Sequence, residues 1–158
     1  MNLKNSSLKL NINNLPAKNF DEVAEYLKTQ KFDEYLKALV QNGTTLQSSG
    51  NALSYVIKNQ KIFDTLKFDL SLGLNKNGSI LEAKKVNDIL DNAKLTVDLD
   101  TQTAENLKTL LNLKQNSDVN FIETANNLKR FEAVLKLDGV YVNDKKVVEE
   151  NELLLYQE

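Results

Sequence analysis

The sequence predicts an α+β domain: an antiparallel sheet with helix pairs packed on one face. Three observations carry this. Leu66, Phe68, Leu70, Leu72 and Leu74 alternate with polar residues at the period of a strand that buries one face, and the same alternation recurs at 8–12, 95–99 and 131–137. Between these runs lie segments with apolar residues at helical spacing. Asn- and Gly-containing turns connect runs that are close in sequence, as antiparallel hairpins require. With 158 residues, the whole of 1–158 is expected to form a single domain.

Leu8, Leu10 and Ile12 alternate with Lys9, Asn11 and Asn13, predicting a half-buried strand ended by Pro16. Asn19 is the expected cap of a first helix, with Asp21 and Glu22 in its first turn and Val23, Ala24 and Leu27 along one stripe. A second helix is predicted from Phe32, with Leu36, Leu39 and Val40 on one face and Gly43 as its stop. Thr44 to Gly50 is polar and predicts a loop; within Ala52 to Lys58, Leu53, Val56 and Ile57 fit a helix while Tyr55 and Ile57 fit a strand, and a short helix is favoured. The run from Leu66 to Leu74 predicts the clearest strand. Asn75-Lys76-Asn77-Gly78 should turn it into a returning strand over Ile80 to Ala83, with helix taking over towards Asn92.

Leu95, Val97 and Leu99 predict the next strand. Thr101 or Thr103 would cap a helix striped by Ala104, Leu107, Leu110 and Leu111. A further helix is expected from Asp118 through Val119, Ile122 and Ala125. Phe131, Ala133, Leu135 and Leu137 predict a long strand turned by Asp138-Gly139 into Val140, Tyr141 and Val142, with a second turn at Asn143-Asp144. Leu153 to Tyr156 could add an edge strand or fray. The two halves, 7–86 and 93–148, parse in the same order. That is the pattern of an internal repeat, though any α+β chain can be divided in this way.

Composition narrows the chemistry. The chain has no Cys, His or Trp, which excludes Ser-His-Asp and Cys-His nucleophiles and imidazole or thiolate metal sites. A net charge of -2, with Arg130 the one arginine, argues against nucleic-acid binding. No apolar run has the length of a membrane span. Asn75, Asn77, Gly78 and Ile80 fall at four positions of a calcium-binding EF-hand loop, but the first and last ligand positions hold Gly73 and Lys84. Asp98 and Asp100 share one strand face and are the best carboxylate pair for acid–base work. They alternate with Val97 and Leu99, so the solvated face explains them better. The loop between Gly43 and Gly50 lacks the Gly-Lys-Ser/Thr ending of a phosphate-binding loop. No catalytic residue, cofactor or metal is therefore expected. One candidate site remains: Leu66, Phe68, Leu70, Leu72 and Leu74 are either plain sheet core or, if the helices splay apart, the lining of an apolar groove for an acyl chain.

The segment from Phe131 to Lys145, an alternating strand, a Gly turn and an apolar strand ending Val142-Asn143-Asp144-Lys145, resembles the closing motif of the YdgA-like family of bacterial domains of unknown function. Ala93 to Asp100 and Leu66 to Gly78 are also similar to that family, so the resemblance spans about 32–146. Asp144 stands where the family usually has glycine. The resemblance implies a module facing the periplasm, held to the inner membrane by a segment upstream of Met1, with no catalytic residues. It further implies a non-catalytic cell-envelope role in binding a protein partner or a lipid. The alternatives are a cytoplasmic or secreted interaction module using an exposed strand edge, and a carboxylate-dependent hydrolase.

Overall fold

In the computed structural model, residues 2–17, 20–29, 31–57, 60–110 and 121–154 are described, with side chains at 6–17, 21–29, 31–52, 65–106 and 121–154. The fold is α+β: among the described residues, one open antiparallel sheet of eight strands with three short helices. In chain order the strands are β1 (Asn2–Asn13), β2 (Thr45–Ile57), β3 (Gln60–Leu74), β4 (Leu90–Leu99), β5 (Ile122–Glu123), β6 (Lys129–Lys136), β7 (Gly139–Val142) and β8 (Lys145–Glu149). Their order across the sheet is β1-β2-β3-β4-β6-β7-β8, and β5 pairs with β6 beyond the end of β7. The helices are α1 (Phe20–Lys28), α2 (Phe32–Gln41) and α3 (Thr101–Leu110).

Helices α1 and α2 form where the apolar spacing places them, although the expected cap of α1, Asn19, lies outside the described residues. Gly43 ends α2 as anticipated, in the left-handed region at φ 59°. Its N–H donates to the Val40 carbonyl at 2.8 Å and that of Thr44 to Leu39 at 3.1 Å, the two bonds of a Schellman stop.

The largest departure is β2. Thr45 to Gly50 is not a loop and Ala52 to Ile57 is not a helix; both belong to one strand paired with β1 and β3 on either side. Local propensity reads Thr, Ser and Gln as connector. A strand flanked on both edges takes its stability from two ladders of main-chain hydrogen bonds instead. Lys58 lies outside the described residues.

The turn after β3 also differs. Asn75 to Gly78 turns as predicted, with Gly78 N–H donating to the Asn75 carbonyl at 2.9 Å and Asn77 N–H to Asn75 Oδ1 at 3.0 Å. Ile80 to Ala83 is not a returning strand. The chain makes further turns, and the helix expected towards Asn92 shrinks to a 3-10 turn at Val86–Asp88. The Asp88 carboxylate holds that turn by accepting from the N–H groups of Lys84 and Lys85, both at 2.9 Å. Gly78 lies so close to this segment that a Cβ there would sit 1.8 Å from the Asp88 carbonyl oxygen. The return strand is β4, and Leu74 pairs with Leu90.

Asp100, rather than Thr101 or Thr103, caps α3: its carboxylate accepts from the Thr103 N–H at 2.9 Å and from the Thr103 hydroxyl at 2.6 Å. Asp118 and Val119 lie outside the described residues, as does Leu111. Ile122 is in a strand and Ala125 in a turn, so the helix expected there does not extend through them. Leu137 falls in the turn after β6 and is 84% exposed. Asn143 and Asp144 form the two-residue loop between β7 and β8, at φ 47° and 64°. Positive φ at both positions is the type I′ geometry suited to strand twist. Asp tolerates it better than most residues, which explains how Asp144 can stand in a turn that favours glycine. Leu153 and Leu154 do not form the expected edge strand. Leu153 closes a 3-10 turn at Glu150–Leu153, Leu154 makes one isolated bridge to Lys85, and 155–158 lie outside the described residues.

Candidate functional site

The ladder registers bring the five residues singled out in β3 into a much larger apolar surface. Across β2, Leu72 faces Leu46, Phe68 faces Gly50 and Leu66 faces Ala52. On the other side Leu66 faces Leu99, Phe68 faces Val97, Leu70 faces Leu95 and Leu72 faces Ala93. The rows continue through Phe131, Ala133 and Leu135 of β6 to Val140 and Val142 of β7. In the opposite direction they reach β1, where Ile12 faces Leu46, Leu10 faces Ser48 and Leu8 faces Gly50. Directly opposed residues share a sheet face, so one face carries an apolar band from β1 to β7, interrupted on β2 by Ser48. Gly50 is where the band is thinnest. The Phe68 ring lies across it, and a Cβ at Gly50 would come within 2.5 Å of Phe68 Cε1.

This band is not sealed. Leu66, Phe68, Leu70, Leu72 and Leu74 are half-buried, and among the described residues no large side chain is fully buried. A sheet face closed under a helical layer would bring central leucines close to zero exposure. The best-buried apolar side chains mark the few covered places: Leu99 and Ala104 where α3 packs on β3, and Val40 on α2 beside the 78–81 segment. Towards β1 the band opens completely. Leu8 is 72% exposed, Leu10 59% and Ile12 44%, so this strand is not half-buried as its alternation predicts.

The opposite face is polar and tied together by charge. Asp98 and Arg130 face each other on β4 and β6 and make two parallel bonds, Nε to Oδ1 at 2.7 Å and Nη2 to Oδ2 at 2.8 Å. The Arg130 guanidinium holds the Asp98 carboxyl below the usual carboxylate range, and Asp98 raises Arg130 in return. Lys94 and Glu132 pair beside them at 2.8 Å. The two aspartates nominated as an acid–base pair thus have separate structural duties: Asp98 clasps Arg130, and Asp100 caps α3 and accepts from the Thr65 N–H at 3.2 Å. Asn75, at a calcium-loop position, is engaged by protein: its Oδ1 accepts from the Asn77 N–H at 3.0 Å and its Nδ2 donates to the Asn87 carbonyl at 3.0 Å. Among the described residues no cluster of three carboxylates could hold a metal ion, and no helix is long and apolar enough to cross a membrane.

Periodicity found each apolar strand separately. It did not find their union into one band, because that depends on strand order and register, and β2 was the missing link. No family model, curated protein or solved structure matches this chain.

Proposed function

We propose that this protein is a non-catalytic module of the bacterial cell envelope that faces the periplasm and holds the acyl chain of a lipid against its apolar sheet face. One observation carries the lipid reading: the band centred on Leu66, Phe68, Leu70, Leu72 and Leu74 is only part-buried and opens at Leu8, Leu10 and Ile12. Burying apolar surface releases about 25 cal/mol per Å², so an extended face of this kind favours an apolar ligand without needing a catalytic group. The envelope location rests on the resemblance of Phe131 to Lys145, and of the upstream strands, to the YdgA-like family. The finer reading of the fold, a duplicated unit over 7–86 and 93–148, is supported by the recurrence of strand, helix and hairpin in both halves.

Native mass spectrometry of protein purified from a bacterial membrane fraction tests the lipid reading. The wild type is expected to carry a lipid-sized adduct, and Leu70→Lys, which places an ammonium in the middle of the band, is expected to lose it. A folded wild type with a clean apo mass would overturn the reading. A second reading, a protein-interaction module working through an exposed strand edge, is favoured by the length and exposure of β1. Carboxylate-dependent hydrolysis is disfavoured by the engagement of Asp98 with Arg130 and of Asp100 with α3.

A further inference from the structure

We propose that β1 is a self-association edge, pairing antiparallel with β1 of a second copy about a two-fold axis at Leu10. Among the described residues β1 ends the sheet and is paired on one side only, with β2. Its ladder is irregular between Leu3 and Ser7 but unbroken from Ser7 to Asn13, so that stretch presents a straight edge of unpaired main-chain groups. A strand pairs with itself only if its sequence is self-complementary in some register, and this one is. With Leu10 opposite Leu10, Leu8 meets Ile12 on the apolar face, while on the polar face Lys9 meets Asn11 and Ser7 meets Asn13. Every apolar side chain then gains an apolar partner, and the lysine meets an amide rather than a second lysine.

Neighbouring registers are worse. An axis at Lys9 opposes two ammonium groups, and an axis at Leu8 sets Leu10 against Ser6. An axis at Asn11 leaves Leu8 facing Asn14, which is in the left-handed region at φ 59°. Registers offset by an odd residue would set the apolar face of one copy against the polar face of the other. Pairing at Leu10 joins the two sheets edge to edge, with both apolar bands on the same side. The opposite edge, β8, offers no comparable strip: it is five residues long, bulged between its pairs to Val140 and Tyr141, and carries Lys145, Lys146 and Glu149. The inference rests on the edge of the sheet and is independent of whether the face holds lipid.

The chain has no cysteine, so an introduced thiol is unique. Across an antiparallel pair, residues directly opposite lie about 4.5–5.5 Å apart at Cα, within disulfide range. In lipid- and detergent-free protein, Leu10→Cys is expected to form a disulfide-linked dimer under mild oxidation. Ser7→Cys, about 20 Å from its own copy in this register, is not. Sedimentation of the wild type at roughly 100 µM should show a monomer–dimer equilibrium, as a small edge interface allows. Leu10→Lys, which opposes two like charges, should weaken it about tenfold or more. A wild type that stays monomeric at that concentration, or cross-linking of Ser7→Cys as fast as Leu10→Cys, would overturn the proposal. So would a monomer that acquires a lipid along β1 in place of a second copy.

Discussion

At the C-terminal end of the sheet, β6, β7 and β8 are short and heavily cross-braced. Asp98 clasps Arg130, Lys94 pairs with Glu132, and Lys85 reaches Glu150 at 2.5 Å. Lys129 pairs with Glu123, and Lys146 bridges Asp138 and Glu149. Lys136 lies over the Tyr141 ring, 4.0 Å from its centroid. The Asn143 side chain fills the interval on β6 between β5 and β7, accepting from the Glu132 N–H at 2.8 Å and donating to the Arg130 carbonyl at 3.3 Å. At the other end, β1 and β2 are long, and the described side chains of β1 from Ser6 to Asn13 are exposed. Hydroxyl and amide contacts such as Ser7 to Asn51 join the two strands. One sheet thus combines two constructions: the braced end fixes the geometry, and the plain end leaves an apolar face and a sheet edge exposed.

The comparison breaks hardest at Gly139. It sits at φ 147°, and a Cβ there would lie 2.0 Å from the Val148 carbonyl oxygen, so Gly139→Ala should cost about 3 kcal/mol or more in urea unfolding. At the plain end the obstacle to a Cβ on Gly50 is mainly the Phe68 ring, which can swing, and Gly50→Ala should cost only about 1 kcal/mol. Next comes the leucine contrast. Leu99, 2% exposed, should lose about 3 kcal/mol on mutation to Ala, whereas Leu10→Ala at 59% exposure should stay within about 0.5 kcal/mol for the isolated chain.

Asp98→Asn should cost about 1.5 kcal/mol by weakening two charge-assisted bonds. Its pH dependence has a definite sign. The folded-state pKa of Asp98 is depressed by Arg130, so its stabilisation is fully present above the unfolded value of about 3.9 and is lost as pH falls through the folded value. Unfolding curves of wild type and Asp98→Asn should therefore converge on acidification below about pH 4 and stay parallel above it. The smallest effect is expected at Leu8, 72% exposed: Leu8→Ser should leave the unfolding midpoint within about 0.5 kcal/mol of wild type.

The sequence made the strands around Leu70, Val97 and Phe131 legible because each alternates over enough residues to outweigh local propensity. It also made Gly43 and the Asn143-Asp144 turn legible, since few residue types suit those backbone angles. β2 was not legible, because Thr45 to Gly50 carries little apolar signal and becomes a strand only between two partners. Nor was the delayed return after Gly78, which depends on the close approach of Asp88. The candidate site was therefore visible as five leucine and phenylalanine positions on one strand and invisible as a face. Which part of that face is covered, as where α3 packs against β3, is set by tertiary placement rather than by any local pattern.

The chain has no tryptophan, so a single indole placed on the part-buried apolar face reports on that face alone. Leu70→Trp and Ser71→Trp would each install a single indole, one on the apolar band and one on the polar face of the same strand. On titration with a bromine-labelled fatty acid below its critical micelle concentration, Leu70→Trp should show saturable quenching and Ser71→Trp little change. Equal quenching of the two, or none in a folded Leu70→Trp protein, would rule out acyl-chain binding on the apolar face.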